Sequence, residues 1–102
     1  MALYLVESVV SGVDSKEAFQ KKVDEVKAAV EKNNVNLIEV QVAKDFTRAF
    51  YIFEGEKQAD VHDSLREQGV SVVLIKPVRL VGKDLEEVKQ QADQVNYLVE
   101  WN

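Results

Sequence analysis

The stretch Arg48-Ala49-Phe50-Tyr51-Ile52-Phe53-Glu54 constrains this chain more than any other. Its residues suit a pleated strand, and successive side chains of a strand point to opposite faces. Phe50 and Ile52 therefore share one face, and Tyr51 and Phe53 share the other. Both faces are apolar or aromatic. A strand with one wetted face alternates apolar with polar residues, and this one does not. Leu3-Tyr4-Leu5-Val6 and Val72-Val73-Leu74-Ile75 are two-sided in the same way. The sheet these strands build is expected to be buried on both faces.

The rest of the chain supplies one face of that cover. A β-rich run from Leu3 to Val10 ends in the turn Ser11-Gly12-Val13-Asp14. Asp14 with Glu17 makes a capping-box pattern, in which side chains satisfy the free amides at a helix start. Phe19, Val23, Val26 and Val30 follow as one amphipathic stripe, with Asn33-Asn34 as the stop. From Asn36 to Lys44 the period becomes two, placing Ile38, Val40 and Val42 on one face and Leu37, Glu39 and Gln41 on the other. Lys44 to Thr47 reads as a hairpin loop before the strand of the opening paragraph. A second helix is expected from Gln58 to Gln68, burying Ala59 or Val61 with Leu65 and ending at Gly69. A β-branched run follows from Val70 to Val81, with Pro77 marking an edge or bend. Asp84 and Glu87 repeat the capping pattern before a third stripe, Leu85, Val88, Ala92 and Val95. Tyr97 to Asn102 closes the chain as a short strand.

This order, βαββαβ and then αβ, predicts an α+β fold: a ferredoxin-like antiparallel sheet with two helices on one face, plus an added C-terminal helix and short strand. Residues 1–82 would form the ferredoxin-like domain. Residues 83–102 would extend it or open a second copy, because Tyr97-Leu98-Val99-Glu100 repeats Tyr4-Leu5-Val6-Glu7. The second sheet face then needs a cover: the third helix, a partner chain, or a small ligand. The expectation is a homodimer with facing sheets.

Composition narrows the function classes. With no cysteine, the chain has no disulfide framework, thiolate zinc site, iron–sulfur cluster or cysteine nucleophile. Thirteen Lys and Arg against 18 Asp and Glu leave a net charge of −5, which disfavours nucleic acid as a partner. No apolar run approaches the about 20 residues of a membrane-spanning helix. No basic leader precedes an apolar stretch, so the expectation is a cytoplasmic protein with no membrane partner. Phosphate-binding glycine loops and the nucleophile-elbow pattern are missing.

Few residues suggest chemistry. His62, the one histidine, lies on the second helix between Asp60 and Asp63, and histidine serves both proton transfer and metal binding. Glu7 continues the face of Leu3 and Leu5, which puts a carboxylate in an apolar row. Such a group must be paired, hydrogen-bonded or protonated, unless the strand has already reached solvent there. Glu39 and Gln41 share a polar face and would meet Glu7 and Tyr51 in a ligand pocket, or else form a solvated edge. Arg48, Lys76 and Arg79 lie on or beside strands where an anion would bind.

Leu3-Tyr4-Leu5-Val6-Glu7, the hairpin from Val42 to Phe53, and Leu65-Arg66-Glu67-Gln68-Gly69 leading to Pro77-Val78-Arg79-Leu80-Val81-Gly82 together resemble a family of small bacterial ferredoxin-like proteins. The family is largely of unknown function, with some members described as nickel-binding. The resemblance covers about residues 3–82. It implies the same fold, dimerisation, and a metal or small-ligand pocket, with Glu7 the best match to a family motif. The histidine that such proteins carry on the second helix falls nearer Ser64 than His62. Two helical residues turn about 200°, so His62 points another way.

The reading is therefore a non-enzymatic binding or interaction module, needing no cofactor, that dimerises through its helix-free sheet face. The alternatives are a small-ligand or metal-binding protein, taking nickel or zinc at His62 and Glu7, or a dimeric α+β barrel enzyme with a pocket near Glu7 and Tyr51.

Overall fold

A computed structural model of the protein describes residues 1–79 and the backbone of a strand at Asn96–Leu98. In order the elements are β1 (Ala2–Val9), α1 (Lys16–Glu31), β2 (Asn36–Ala43), β3 (Arg48–Gly55), α2 (Gln58–Glu67), β4 (Leu74–Val78) and β5 (Asn96–Leu98). Across the sheet they run β4-β1-β3-β2-β5. The first four pair antiparallel, which is the ferredoxin-like arrangement, and β5 joins the edge of β2 in parallel. The helix expected on Leu85, Val88, Ala92 and Val95 lies outside the described residues.

One periodicity builds each layer. Phe19, Val23, Val26 and Val30 of α1 are all buried, and Val61 and Leu65 do the same for α2. They pack on Tyr4, Val6, Tyr51 and Phe53 of the two central strands. Asp14 does not cap α1. Ser15 does, with extended backbone and its hydroxyl accepting from the Ala18 amide at 3.1 Å. A cap must sit three residues before the amide it satisfies, and Ser15 is the residue with both that spacing and an oxygen.

Both helices stop in one way. In α1, Val35 donates to the Val30 carbonyl and Asn34 to Glu31, with Asn34 at φ 60°. In α2, Val70 donates to Leu65 and Gly69 to Arg66, with Gly69 at φ 69°. This paired bond pattern ties off the last carbonyls, and the left-handed residue at its centre suits Asn and Gly. The valine that follows each stop returns to the core. Because Val70 is used in this way, β4 begins only at Leu74, well after the expected Val70.

The expected alternation of β2 holds only in part. Leu37 pairs with Phe53 and Glu39 with Ile52, so Ile38 is the extra residue of a bulge. A bulge shifts the face by one residue. Leu37 therefore joins Val40 and Val42 in the core, and Ile38 is buried apart from that cluster.

Replacing Ser15 by Ala is expected to lower stability by about 1 kcal/mol. Urea denaturation should show an earlier midpoint and an unchanged slope.

Candidate functional site

Both described helices lie on the side of Tyr4, Val6, Tyr51 and Phe53. The opposite face of the sheet carries the candidate residues, arranged in rows by the strand register. One row runs Lys76, Leu5, Ile52, Glu39, and the next runs Leu74, Glu7, Phe50, Gln41. Leu3 and Val78 extend the apolar part on one side, and Val9 with Arg48 closes the other. Leu3, Leu5, Phe50, Ile52 and Leu74 are half-buried, and Val9 is 47% exposed. Towards β2 burial deepens, and Glu39 keeps only 8% of its surface.

Glu7 is paired. Its Oε2 accepts from Arg48 Nη1 at 2.7 Å, and the two side chains remain partly open to water. Arg48 is one diagonal step from Glu7 on the same face, a spacing that long side chains bridge across antiparallel strands. A pair this open is worth about 0–1 kcal/mol. Its larger effect is to let a carboxylate stand in an apolar row without an unbalanced charge. Arg48 is thus engaged by Glu7 within the chain through Nη1. The sequence shows both residues; only the register of β1 on β3 brings them together.

Glu39 and Gln41 do share a pocket, a small cleft of about 60 Å³ that they line with Leu5, Phe50 and Ile52. That is room for about two water molecules. Neither Glu7 nor Tyr51 lines it. Strand alternation sends Tyr51 to the other face, where it is 1% exposed and stacked on Phe53 with ring centroids 5.5 Å apart. Burial pushes the Tyr51 hydroxyl up to about 12. A phenol sealed in the core and protonated to that pH does not serve proton transfer near neutrality.

His62 is separated from Glu7 by the sheet itself. Its side chain is half exposed on α2, with Nδ1 3.8 Å from Asp63 Oδ1. A metal needs three or four converging ligands, and among the described residues no group of three acidic or histidine side chains gathers around one point. Ser64, where the resembling family would carry its histidine, is buried. Its hydroxyl donates to the Asp60 carbonyl at 2.8 Å and accepts from Asn33 at 2.9 Å, tying α2 to the end of α1. This bond forms part of a wide polar depression lined also by Lys32, Glu56, Asp63 and Glu67.

No protein-family model and no curated protein matches the sequence. Among solved structures the chain is similar to SCO4226 from Streptomyces coelicolor A3(2), with a TM-score of 0.65 and 14% identity over 79% of this chain and 100% of that one. It is also similar to the structured domain of Drosophila melanogaster Boca, with a TM-score of 0.50 and 16% identity over 76% of this chain and 97% of that one. At such identities the likeness shows the fold, and the fold is ferredoxin-like. No described helix is long and apolar enough to cross a membrane.

The buried Tyr51 predicts a pH dependence. An ordinary tyrosine loses its proton near pH 10, and this one near 12, so the folded state favours the neutral phenol. Its contribution is complete below pH 10 and is lost as pH rises from 10 to about 12. Urea midpoints compared at about pH 8 and about pH 11 should fall less for Tyr51→Phe than for the unmodified protein.

Proposed function

We propose that this chain is a non-enzymatic interaction module that pairs with a second copy of itself through the helix-free face of its sheet. The observation that carries this reading is the contiguous set Leu3, Leu5, Ile52 and Leu74. All four are only half-buried and lie beside the exposed Val9, on the side of the sheet away from α1 and α2. Apolar rows of this extent are unfavourable in water, and covering them with another apolar surface lowers the free energy. A sheet packed on a sheet supplies such a surface about 10 Å away. The resemblance to the small bacterial ferredoxin-like family points the same way, since it too implies dimerisation.

Sedimentation across micromolar dilutions tests the pairing. The unmodified protein is expected to sediment as a dimer, and Leu5→Glu as a monomer with its helix content intact. A monodisperse monomer for the unmodified protein would remove the proposal.

A second reading rests on the cleft beside Glu39. A carboxylate 8% exposed, next to an amide and three apolar side chains, suits a small ligand with one polar donor and an apolar body. A ligand that binds the folded state raises the melting temperature, and the shift grows with the logarithm of its concentration over Kd. A thermal-shift screen of small aliphatic amines and alcohols separates the readings. Stabilisation lost in Glu39→Gln supports a ligand pocket, and no stabilisation by any compound supports the interaction module. Nickel and zinc belong in the same screen, where uptake abolished by His62→Ala or Glu7→Ala would revive the metal-binding reading.

A further inference from the structure

The outward side chains of β3, in order, are Arg48, Phe50, Ile52 and Glu54: a cation, two apolar groups and an anion. Turned end over end, this series is its own complement. We propose, resting on the pairing put forward above, that the second copy lies with its β3 antiparallel across this one. The two-fold axis then runs between the sheets and perpendicular to the strands. Arg48 of each chain meets the partner subunit's Glu54, and Phe50 of each lies over the partner subunit's Ile52.

The neighbouring strand agrees with this axis. Leu3 stands in the row of Glu54, and Val9 in the row of Arg48. The operation that joins Arg48 to the partner subunit's Glu54 therefore lays Leu3 over the partner subunit's Val9. That gives the exposed Val9 an apolar cover. A two-fold along the strands, between β1 and β3, would also make the sheets face one another. It would set Glu54 against the partner subunit's Leu3, and Arg48 against the partner subunit's Val9. Arg48, which holds Glu7, and Glu54, which accepts from Asn36 at 3.4 Å, would then each be covered by an aliphatic side chain and gain no opposite charge from the partner, an arrangement that costs affinity. The first axis avoids that cost.

Glu7 fits as well. In the proposed arrangement it faces the partner subunit's Leu5, with its charge already balanced by Arg48 at 2.7 Å. A guanidinium carries five N–H donors in a planar fork, so Arg48 can hold Glu7 through Nη1 and offer its remaining donors to a second carboxylate. Arg48 would be the hinge of the interface: one edge fixed within the chain, the other directed outward. Facing sheets stand about 10 Å apart, a gap that an arginine and a glutamate bridge when extended toward one another.

Charge reversal tests this geometry. Arg48→Glu sets two carboxylates face to face at each contact, and Glu54→Arg sets two guanidinium groups there. Each variant alone is expected to sediment as a monomer at concentrations where the unmodified protein is a dimer. Mixed in equal amounts they are expected to form a heterodimer, because each of its two contacts then joins opposite charges. Arg48→Glu also loses the Glu7 pair, so the experiment is repeated with Glu7→Gln/Arg48→Glu, which removes the like-charge contact within the chain. Circular dichroism and thermal melting establish that each variant is folded. If both single variants remain dimers, or if the mixture stays monomeric while the unmodified protein dimerises, this axis is overturned and face pairing survives. If the unmodified protein is itself a monomer, both readings fall.

Discussion

Val6 and Tyr51 sit opposite one another on the two inner strands, and both are sealed from water. Their pairing fixes the register of β1 on β3 over eight consecutive residue pairs, from Ala2 with Gly55 to Val9 with Arg48. A slip of one residue would send Tyr51 and Phe53 to the far side and bring Arg48 and Glu54 toward the helices. The core therefore selects the register, and the register in turn arranges the other face. Glu7 meets Arg48, Phe50 stands between Glu7 and Gln41, and Leu5 lies beside Ile52 only because the opposite side chains are locked beneath α1 and α2. Neither face can be altered without reference to the other.

The helices hold this sheet through their ends as much as through their stripes. Each finishes in a left-handed residue that turns the chain back, and the valine just beyond returns to the core. The Asn33–Ser64 hydrogen bond then joins the two helices at that end of the molecule. Gly55 lies beneath the same junction, where an added methyl group would come 3.3 Å from Val61 and 3.6 Å from Val35. A side chain there would require Val61 to give way by a few tenths of an ångström.

Periodic features were legible in the sequence, and pairings were not. The α1 stripe, the left-handed stops at Asn34 and Gly69, the two-sided character of β3 and the ferredoxin-like order all follow from local spacing, and local spacing is what a sequence displays. Strict alternation places Leu37 on the face of Glu39 and Gln41, and the bulge that turns it to the core leaves no mark on composition, since Ile38 reads like any other strand residue. The cap passed from Asp14 to Ser15 because both have the right chemistry and one residue of spacing decides between them. A meeting of Tyr51 with Glu39 and Gln41 is at odds with the strand alternation that places Tyr51 beside Phe53 in the core. Glu7 stands in an apolar row, where a carboxylate is either paired or already in solvent, and local spacing does not decide between the two. Its pairing with Arg48, 41 residues away in the chain, comes from the register of β1 on β3.

The edges of the sheet bear on how such a domain avoids uncontrolled growth. An open strand edge is a template on which further chains can add without limit. Here β4 is five residues long and contains Pro77, which has no N–H to offer an incoming strand, and exposed Lys76 beside it places a charge on the same rim. At the far side the last strand is three residues, too short to nucleate extended pairing. Among the described residues, both margins thus offer an incoming strand little to pair with, which discourages fibre growth along the sheet.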